Sequence, residues 1–289
     1  GRVKGATGLL AATEVANAKH VELCLEKGID VLWVGARTTG DPFQVQDIAD
    51  ALRGADTPVL VKNPLSPDLG LWIGAVERLH RAGVRKLAAV HRGFSVYGAT
   101  GFRYLPNWGI PIELRRRLPR LPLVCDPSHM TGNREMIGPV AQMALDIEVD
   151  GLMIETHTDP DRALSDSGQQ ITPDALTELL DRLVVRSGTI IDGEAKVRID
   201  RLREAISGID SRIIDALAER MRLVDEIGVV KERHNIAVLQ MDRWGELLED
   251  HLARAEERGM SPEFIKAVFE LIHAQAVQRQ FRPGGAGRP

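Results

Sequence analysis

Residues 121–130 read LPLVCDPSHM and residues 149–170 read VDGLMIETHTDPDRALSDSGQQ, and these two stretches decide the fold. In each stretch a short apolar run ends in polar side chains. Asp126, Ser128 and His129 follow the first run, and Glu155 and His157 follow the second. Short apolar runs bounded in this way are typical of buried parallel strands. The pattern predicts that polar groups from both strands lie at one edge of a sheet.

The same alternation of strand and helix extends over the first 184 residues. The strand-like runs are GLLAATEV (8–15), VLWVGAR (31–37), PVLVKNP (58–64), KLAAVHRGF (86–94), LPLVCDPSH (121–129) and GLMIETH (151–157), with helices predicted at 16–27, 43–54, 71–82, 133–144 and 173–185. Such alternation indicates a parallel α/β fold. Every run ends in a polar or charged residue, which favours a barrel over an open doubly wound sheet with a single crevice. Six runs are fewer than a closed barrel needs, so we predict a (β/α)8 TIM-type barrel whose first two β/α units are absent from this chain or supplied elsewhere.

His129, Glu155 and Asp166 are candidate ligands for one divalent metal ion. An imidazole and two carboxylates suit such an ion and leave coordination positions open for substrate. Taken singly these groups have simpler interpretations, since Asp126 and Ser128 could cap the next helix and Glu155 could be a paired surface carboxylate. The combination after two consecutive strands favours the metal, because charge at a strand end is costly to bury without a partner.

Three cations end three other strands and are expected at the same mouth of the barrel. They are Arg37, Lys62 and Arg92. Cationic side chains bind phosphate and carboxylate oxygens, and guanidinium groups do so in bidentate fashion, so these residues predict a phosphorylated, carboxylated substrate. The alternative is that each cation balances a neighbouring acid.

These motifs resemble the type I 3-deoxy-D-arabino-heptulosonate 7-phosphate (DAHP) synthases over about residues 1–184. The resemblance is carried by VGART, LVKNP, HRGF, DPSH, GLMIETH and ALSDSGQQ in this order. It implies condensation of phosphoenolpyruvate with erythrose 4-phosphate in aromatic (shikimate pathway) biosynthesis. By matching motif it implies that Arg37, Lys62 and Arg92 hold phosphoenolpyruvate, with Gly35 and Ala36 close by, and that His129, Glu155 and Asp166 bind a divalent ion of the Mn, Fe, Co or Zn type.

The sequence departs from that family at its amino-terminal end. The family's Gly-Pro-Cys motif, which supplies a fourth metal ligand, and its Lys-Pro-Arg-Thr motif do not occur. The resemblance therefore begins at the family's third strand, which argues against synthase activity by the chain as given. A related synthase of 3-deoxy-octulosonate 8-phosphate shares the His and Glu motifs, but VGARTTG and the following helical region argue against it.

Composition narrows the class of protein. Lys plus Arg number 37 and Asp plus Glu number 41, giving a net charge of −4 that offers no basic footprint for nucleic acid. No apolar run reaches membrane-spanning length and no leader pattern opens the sequence, so we expect a cytoplasmic protein that does not insert in membranes. Cys24 and Cys125 show neither disulfide nor zinc spacing.

The strand pattern stops near residue 185, and a long amphipathic helix follows. Apolar residues recur every three or four positions from Ile199 to Ile227, and no proline interrupts 174–261. About 35 residues in one helix span roughly 50 Å, so a partner chain or returning helices must cover the apolar stripe. Two further helices are predicted at 241–258 and 262–280, followed by a disordered tail.

This region, about residues 197–281, resembles the all-helical chorismate mutases. The resemblance is carried by LRE, AER, the GxxK of GVVK and DR, with FELIHAQAVQRQ at the end. It implies an intertwined homodimer that rearranges chorismate to prephenate without a cofactor, by preorganised electrostatics. The matching residues are Arg203 (from the partner chain), Arg220, Lys231, Arg243 and Gln280. Trp244 stands where a glutamate is common and Ala276 where a serine is common.

Together the patterns predict a bifunctional DAHP synthase and chorismate mutase. The expected domains are a barrel at 1–184, a linker at 185–196, the helical domain at 197–282 and the tail at 283–289. Prephenate is a candidate regulator of the barrel. The alternatives are that the mutase alone is active, or that the helical domain is a non-catalytic module for dimerisation and ligand sensing.

Overall fold

The computed structural model describes residues 2–98, 101–186, 188–190, 192–239 and 241–281, and of residues 241–243 only the backbone. The chain divides into two compact units, Gly1–Thr189 and Ile190–Pro289. The tail predicted at 283–289 and residues 187 and 191 of the predicted linker lie outside the described residues. Within the described ranges, none of the helices combines the length and apolarity needed to cross a membrane.

The first unit is built on a six-stranded parallel sheet. Its strands are β1 (Ala12–Val15), β2 (Val31–Val34), β3 (Val59–Lys62), β4 (Leu87–His91), β5 (Leu123–Cys125) and β6 (Gly151–Leu152). Each strand pairs with the one before it, in the order β1-β2-β3-β4-β5-β6. A doubly wound sheet reverses its strand order at a switch point, whereas a barrel winds in one direction. The unidirectional order confirms the barrel-type fold predicted from the sequence.

Twelve helices connect and follow the strands in the described part of the chain. They are α1 (Arg2–Thr7), α2 (Ala18–Glu26), α3 (Ala36–Thr39), α4 (Pro42–Ala51), α5 (Leu69–Arg81), α6 (Gly109–Arg117), α7 (Pro127–Thr131), α8 (Ile137–Asp146), α9 (Pro173–Arg182), α10 (Gly193–Arg233), α11 (Met241–Glu256) and α12 (Pro262–Gln280). Side-chain caps fix several starts, because Asn17, Asp41 and Asp68 each accept a hydrogen bond from a backbone N–H of the first turn. Helices α1, α3, α6 and α7 were not predicted.

The core of the first unit lies between the sheet and its helices. Strand β3 has Val59 and Val61 fully buried, and the facing helix α5 buries Trp72 and Leu79. The Trp72 indole N–H donates to the carbonyl oxygen of Val61 at 3.0 Å, so the largest buried side chain leaves no donor unsatisfied. This packing holds the carboxyl end of β3, where Lys62 lies.

The second unit consists of α10, α11 and α12. Helix α10 has 41 residues, about 60 Å of helix, and begins where Asp192 accepts hydrogen bonds from the N–H groups of Glu194 and Ala195. Its buried residues in the described structure are Val224 and Gly228, near its carboxyl end. A bidentate ion pair from Arg279 to Asp225 joins α12 to α10.

Candidate active sites

The three predicted metal ligands come together at the carboxyl edge of the sheet. His129, Glu155 and Asp166 each offer a ligand atom, and these atoms all lie within 4.8 Å of one another. His129 is in α7 directly after β5, and Glu155 follows β6. Asp166 reaches them from the loop between Thr156 and Ile171, which pair in a parallel bridge. One nitrogen and two carboxylate oxygens suit a divalent transition metal, so the donor set fits such an ion.

Asp126 lies behind His129 and has a second role besides capping. Its side chain accepts from the backbone N–H of His129 at 3.1 Å, as an N-cap does. The same carboxylate also contacts Nδ1 of His129 at 2.9 Å and Nζ of Lys62 at 3.0 Å. Burial raises the pKa of Asp126, but the hydrogen bond from His129 and the charges of Lys62 and His129 outweigh burial, so the pKa lies below its ordinary value. Nδ1 of His129 also lies 3.3 Å from Oε1 of Glu155, so a proton on Nδ1 would face two carboxylates and leave the Nε2 lone pair for a ligand.

Two residues that the sequence patterns did not single out bridge the carboxylates. Nη1 of Arg103 lies 2.5 Å from Oδ1 of Asp166 and donates to Oε1 of Gln169 at 2.6 Å. The amide of Gln169, 1% exposed, in turn donates to Oε2 of Glu155 at 3.0 Å. The hydrogen bond from Arg103 holds the pKa of Asp166 below its ordinary value. Arg103 and Gln169 thus fix the positions of Asp166 and Glu155.

The predicted cations differ in their surroundings. Lys62 and Arg92 are buried at the ends of β3 and β4, with 6% and 5% of their surface exposed, whereas Arg37 in α3 is exposed. The guanidinium of Arg92 lies 3.5 Å from the ring centroid of Tyr104, and its Nη1 is buried without a hydrogen-bond partner among the described residues. Burial lowers the pKa of Arg92 from its ordinary value. A buried guanidinium nitrogen with no acceptor is suited to an anionic ligand.

Gly35 and Ala36 form the turn from β2 into α3. Gly35 is buried and is the N-cap of α3, and Ala36 is its first residue. A side chain at Gly35 would collide with the carboxylate of Glu14. Oε2 of that carboxylate accepts from the indole N–H of Trp33 at 3.1 Å. Lys62 Nζ lies 5.8 Å from the Trp33 ring centroid, so Gly35 and Lys62 belong to one region of the sheet edge.

A loop after β4 brings Arg103 and Tyr104 to the site. Phe94 and Leu105 exchange two backbone hydrogen bonds, and the N–H of Tyr104 donates to the carbonyl oxygen of Met130. Gly93 has φ +82°, and a Cβ there would lie 2.6 Å from the carbonyl oxygen of Tyr104. Glycine is therefore required where the loop crosses its own return.

The helical unit gathers a second set of predicted residues. Arg220 and Lys231 are half-buried on α10, and Gln280 is half-buried on α12. A Cβ on Gly228 would lie 3.3 Å from Cγ of Gln280, so the two helices approach closely there. Nη1 of Arg220 and Oε1 of Gln280 are buried without partners among the described residues, and Lys231 donates to the carbonyl oxygen of Val238 at 2.6 Å.

Of the two remaining predicted mutase residues, one lies apart from this group and the other is described only in its backbone. Arg203 is exposed, pairs with Asp200 at 3.5 Å, and lies 17 residues, or about 25 Å of helix, from Arg220. The backbone of Arg243 belongs to α11, but its side chain lies outside the described residues. A single chain therefore does not bring Arg203 to Arg220.

Comparison with known proteins assigns the two units separately. A sequence profile of the DAHP synthetase I family matches residues 1–188, and one of chorismate mutase type II matches residues 202–281. A phospho-2-dehydro-3-deoxyheptonate aldolase of Thermotoga maritima is 26% identical over 176 residues, covering 61% of this chain and 50% of that protein. A 2-dehydro-3-deoxyphosphooctonate aldolase of Desulfotalea psychrophila is 31% identical over 121 residues, covering 38% and 41%.

Solved structures agree on the fold. A truncated 3-deoxy-D-arabino-heptulosonate 7-phosphate synthase from Thermotoga maritima superposes with a TM-score of 0.56 at 22% identity, covering 70% of each chain. The chain itself spans about half the length of the curated relatives that it matches. With six strands wound in one direction, a His–Glu–Asp cluster at their carboxyl edge and a profile match over residues 1–188, this chain belongs to the DAHP synthetase I family, and it carries a chorismate mutase type II domain after it.

Proposed function

We propose that the first unit condenses phosphoenolpyruvate with erythrose 4-phosphate and that the second rearranges chorismate to prephenate, both in aromatic biosynthesis. The observation that carries the first proposal is the adjacency of an anion site and a metal site. Lys62 and Arg92 are buried cations at the sheet edge, and Asp126 contacts both Lys62 and His129. A substrate with phosphate and carboxylate groups would satisfy the free Nη1 of Arg92.

In this proposal each residue of the barrel site has a definite task. His129, Glu155 and Asp166 hold a divalent ion of the Mn, Fe, Co or Zn type, which when bound would polarise the aldehyde of erythrose 4-phosphate as a Lewis acid. Lys62 and Arg92 bind phosphoenolpyruvate beside Gly35 and Ala36, and Arg37 adds a third cation from α3. Asp126 orients the ring of His129 through its contact with Nδ1.

Binding measurements test the barrel site directly. Calorimetric titration with Mn²⁺ should show one site, which His129→Ala abolishes. Titration with phosphoenolpyruvate should show affinity that falls by about tenfold or more in Arg92→Ala, because hydrogen bonds to charged groups contribute about 1.5–3 kcal/mol. Arg53→Ala, at an exposed arginine, is the matched control. Unchanged phosphoenolpyruvate affinity in Arg92→Ala would contradict the proposed site.

The choice of aldehyde is a separate question, since relatives of both aldolase types match this chain. We propose erythrose 4-phosphate, because a mutase domain of the same pathway follows the barrel. The check uses protein extended at its amino terminus to an eight-stranded barrel, supplies Mn²⁺ and phosphoenolpyruvate with either erythrose 4-phosphate or arabinose 5-phosphate, and measures consumption of phosphoenolpyruvate. Consumption with arabinose 5-phosphate alone would assign the barrel to octulosonate synthesis.

A second activity is favoured by the unpaired polar atoms of the helical unit. The guanidinium of Arg220 and the ammonium of Lys231 suit the two carboxylates of chorismate, and Lys231 and Gln280 are the candidates for its ether oxygen. Loss of chorismate absorbance should be catalysed by the protein and fall by at least about a hundredfold in Arg220→Ala. The exposed Arg222, replaced by alanine, is the control. Prephenate binding without turnover would instead indicate a sensing module, through which prephenate could regulate the barrel.

The mutase proposal includes a homodimer and a domain division. Exposed Leu202, Ile206, Ile209 and Ile213 form a stripe on α10, 46–56% exposed, which a second copy would cover while bringing its Arg203 to the site. The domains proposed are 1–184, 197–282 and a linker at 185–196. The division of the chain into compact units at Thr189 and Ile190 supports this assignment.

A further inference from the structure

Two ring stacks fix how α11 lies against α12. The indole of Trp244 stacks on the imidazole of His273, with ring centroids 4.0 Å apart and planes 22° from parallel. Two turns further along α11, His251 stacks on Phe269 at 3.9 Å and 28°. Since both pairs join the same two helices, the face of the His273 ring is held in place and its edge is directed away from Trp244.

That edge carries an unsatisfied nitrogen. Nε2 of His273 is buried and has no hydrogen-bond partner among the described residues. The helical unit contains two other such atoms, Nη1 of Arg220 and Oε1 of Gln280. Leaving a buried polar atom unpaired costs about 1–3 kcal/mol, so three in one small helical unit indicate a ligand that pairs with them.

Helical spacing places these atoms on facing surfaces. On α12, His273, Ala276 and Gln280 are three and four residues apart and share a face, and Ala276 is buried. On α10, Arg220 and Lys231 lie on the face that includes Gly228, where an added Cβ would lie 3.3 Å from Cγ of Gln280. His273 therefore lies along the same helix pair as the cations proposed for chorismate.

The charge around His273 determines what it can bind. Burial, followed by the charges of Arg220 and Lys231, lowers the pKa of His273 below its ordinary value, so the ring is neutral at neutral pH. A neutral imidazole keeps one N–H. In a cationic surrounding the complementary ligand is an anion, and an anion's oxygen is an acceptor for that N–H.

We propose that Nε2–H of His273 donates a hydrogen bond to an oxygen of the dicarboxylate bound by Arg220, and that Trp244 is the positioning residue that orients the ring. The inference rests on the proposed mutase function and adds a contact to it. It also gives a physical account of the sequence, because Trp244 and Ala276 stand where a glutamate and a serine are common. Trp244 cannot supply the carboxylate and Ala276 cannot supply the hydroxyl, whereas His273 stacks on Trp244 and lies three residues before Ala276 on α12.

The test uses the full chain and four variants. His273→Phe keeps a ring against Trp244 and removes the donor, whereas His273→Gln keeps a donor N–H. Trp244→Phe keeps the stack and Trp244→Ala removes it. We expect kcat/KM for chorismate and the affinity for prephenate to fall about 10–100-fold in His273→Phe, the range expected for a hydrogen bond to a charged group, and to be largely retained in His273→Gln.

Two further measurements distinguish the proposed contact from a purely structural role of His273. Trp244→Ala should lower kcat/KM in the native background but have little further effect on top of His273→Phe, because the indole acts through the imidazole. In unmodified protein with ¹⁵N-labelled histidine, the Nε2 resonance of His273 should move on saturation with prephenate. This measurement needs no variant, so it decides the question even if His273→Phe fails to fold.

The outcomes separate this inference from the function on which it rests. If the native protein turns over chorismate and His273→Phe has a kcat/KM within about twofold of the native value, the contact is wrong and the mutase proposal stands. The same conclusion follows if the Nε2 resonance does not move. Prephenate binding without turnover by the native protein removes the catalytic function, and the affinities of the variants and the resonance then decide the contact. If the native protein neither binds prephenate nor consumes chorismate, both proposals are wrong.

Discussion

At the scale of single residues, Asp126 links two groups that the sequence patterns treated separately. For the stretch DPSH, a helix cap at Asp126 was the alternative interpretation beside a metal ligand at His129, and the structure contains the cap. No local pattern could reveal the contact with Lys62, which is 64 residues away in sequence. The carboxylate therefore stabilises a cation of the proposed anion site and orients the proposed metal ligand at the same time.

Removing the charge of Asp126 should destabilise the barrel. Asp126→Asn leaves the ammonium of Lys62 buried without a counter-charge, and loss of one partner of a buried ion pair costs about 3–5 kcal/mol. The measurement is the urea midpoint of the barrel transition. Asp50→Asn, which removes the partner of exposed Arg53, should leave that midpoint unchanged. An equal, small shift in both variants would contradict the coupling.

A fully buried histidine should make the stability of the barrel depend on pH. His91 contacts Trp72, Phe94 and Trp108, and its Nε2–H donates to the carbonyl oxygen of Pro106 at 2.6 Å. Burial lowers the pKa of His91 from 6.5 to about 3. Between these values the unfolded chain binds a proton at this ring that the folded chain does not. The free energy of unfolding should therefore fall by about 1.4 kcal/mol for each pH unit below 6.5.

A substitution at His91 isolates that contribution. His91→Phe cannot bind the proton, so the dependence of unfolding free energy on pH should weaken by this amount between pH 6 and 4. The variant also loses about 1 kcal/mol at neutral pH with the hydrogen bond to Pro106. Denaturant unfolding at several pH values measures both effects, with His80→Gln at an exposed ring as the control. A pH dependence that persists in His91→Phe would assign it to other groups.

At the scale of elements, the loop between β4 and α6 and helix α6 itself are features that apolar periodicity did not predict. Apolar periodicity predicted all six strands, five of the nine helices described in the first unit and the three helices of the second, with differences of a few residues at their ends. The pattern did not predict α6, because its sequence GIPIELRRR places Gly109 and Pro111 in the first turn and both residues usually oppose a helix. Proline is tolerated in a first turn, where its missing N–H would be unpaired in any case.

The same loop explains why two residues of the barrel site were missed. Arg103 and Tyr104 lie in an irregular segment with no periodicity, and the return of the chain past Gly93 and Met130 brings them to the site. Gln169 was read as part of the motif around Asp166, with no role of its own. Residues at strand ends could be predicted because parallel strands share an edge, whereas residues on a returning loop depend on contacts that no local pattern encodes.

Two glycines with nearly the same φ allow the cost of backbone strain to be compared with the cost of a steric collision. Gly93 has φ +82° and faces the backbone of Tyr104, whereas Gly54 has φ +81° and a Cβ added there would have nothing within 4 Å. Gly54→Ala should cost about 1 kcal/mol from the backbone angle alone. Gly93→Ala should cost clearly more, and it should weaken phosphoenolpyruvate binding because Tyr104 moves from beneath Arg92. Urea unfolding and calorimetry measure the two effects, and equal losses of stability would contradict the collision.

At the scale of the whole molecule, α10 has a long apolar face. The helical unit buries only the carboxyl-terminal end of that face among the described residues. Leu202, Ile206, Ile209 and Ile213 are spaced four, three and four residues apart, and the same face continues to Val224. Val224 is buried in the helical unit, whereas the four residues from Leu202 to Ile213 on this face are exposed. Full burial of such a side chain stabilises by about 1.5–3 kcal/mol, and burying the exposed half of each of these four is the driving force for the proposed dimer.

Charge on this face should therefore dissociate the protein and stop the mutase. Ile209→Glu combined with Ile213→Glu should convert dimer to monomer in sedimentation velocity, and chorismate turnover should disappear because Arg203 of the partner subunit is removed. Ser211→Glu, on the opposite face of α10, adds a charge without disturbing the stripe and should retain both properties. A dimer that survives the double substitution would place the interface elsewhere.

The sequential order of the strands has a consequence for how the barrel is made. Each of β2 to β6 pairs with the strand that precedes it in the chain, so the sheet can grow in the direction of synthesis. When a strand is synthesised, the strand with which it pairs is already present. Little more than one helix separates the two in sequence, so the entropy lost in closing each loop is small. A nascent chain can therefore pair most of its strands before the long helix α10 has been translated. This shortens the time during which unpaired strand edges are exposed to aggregation.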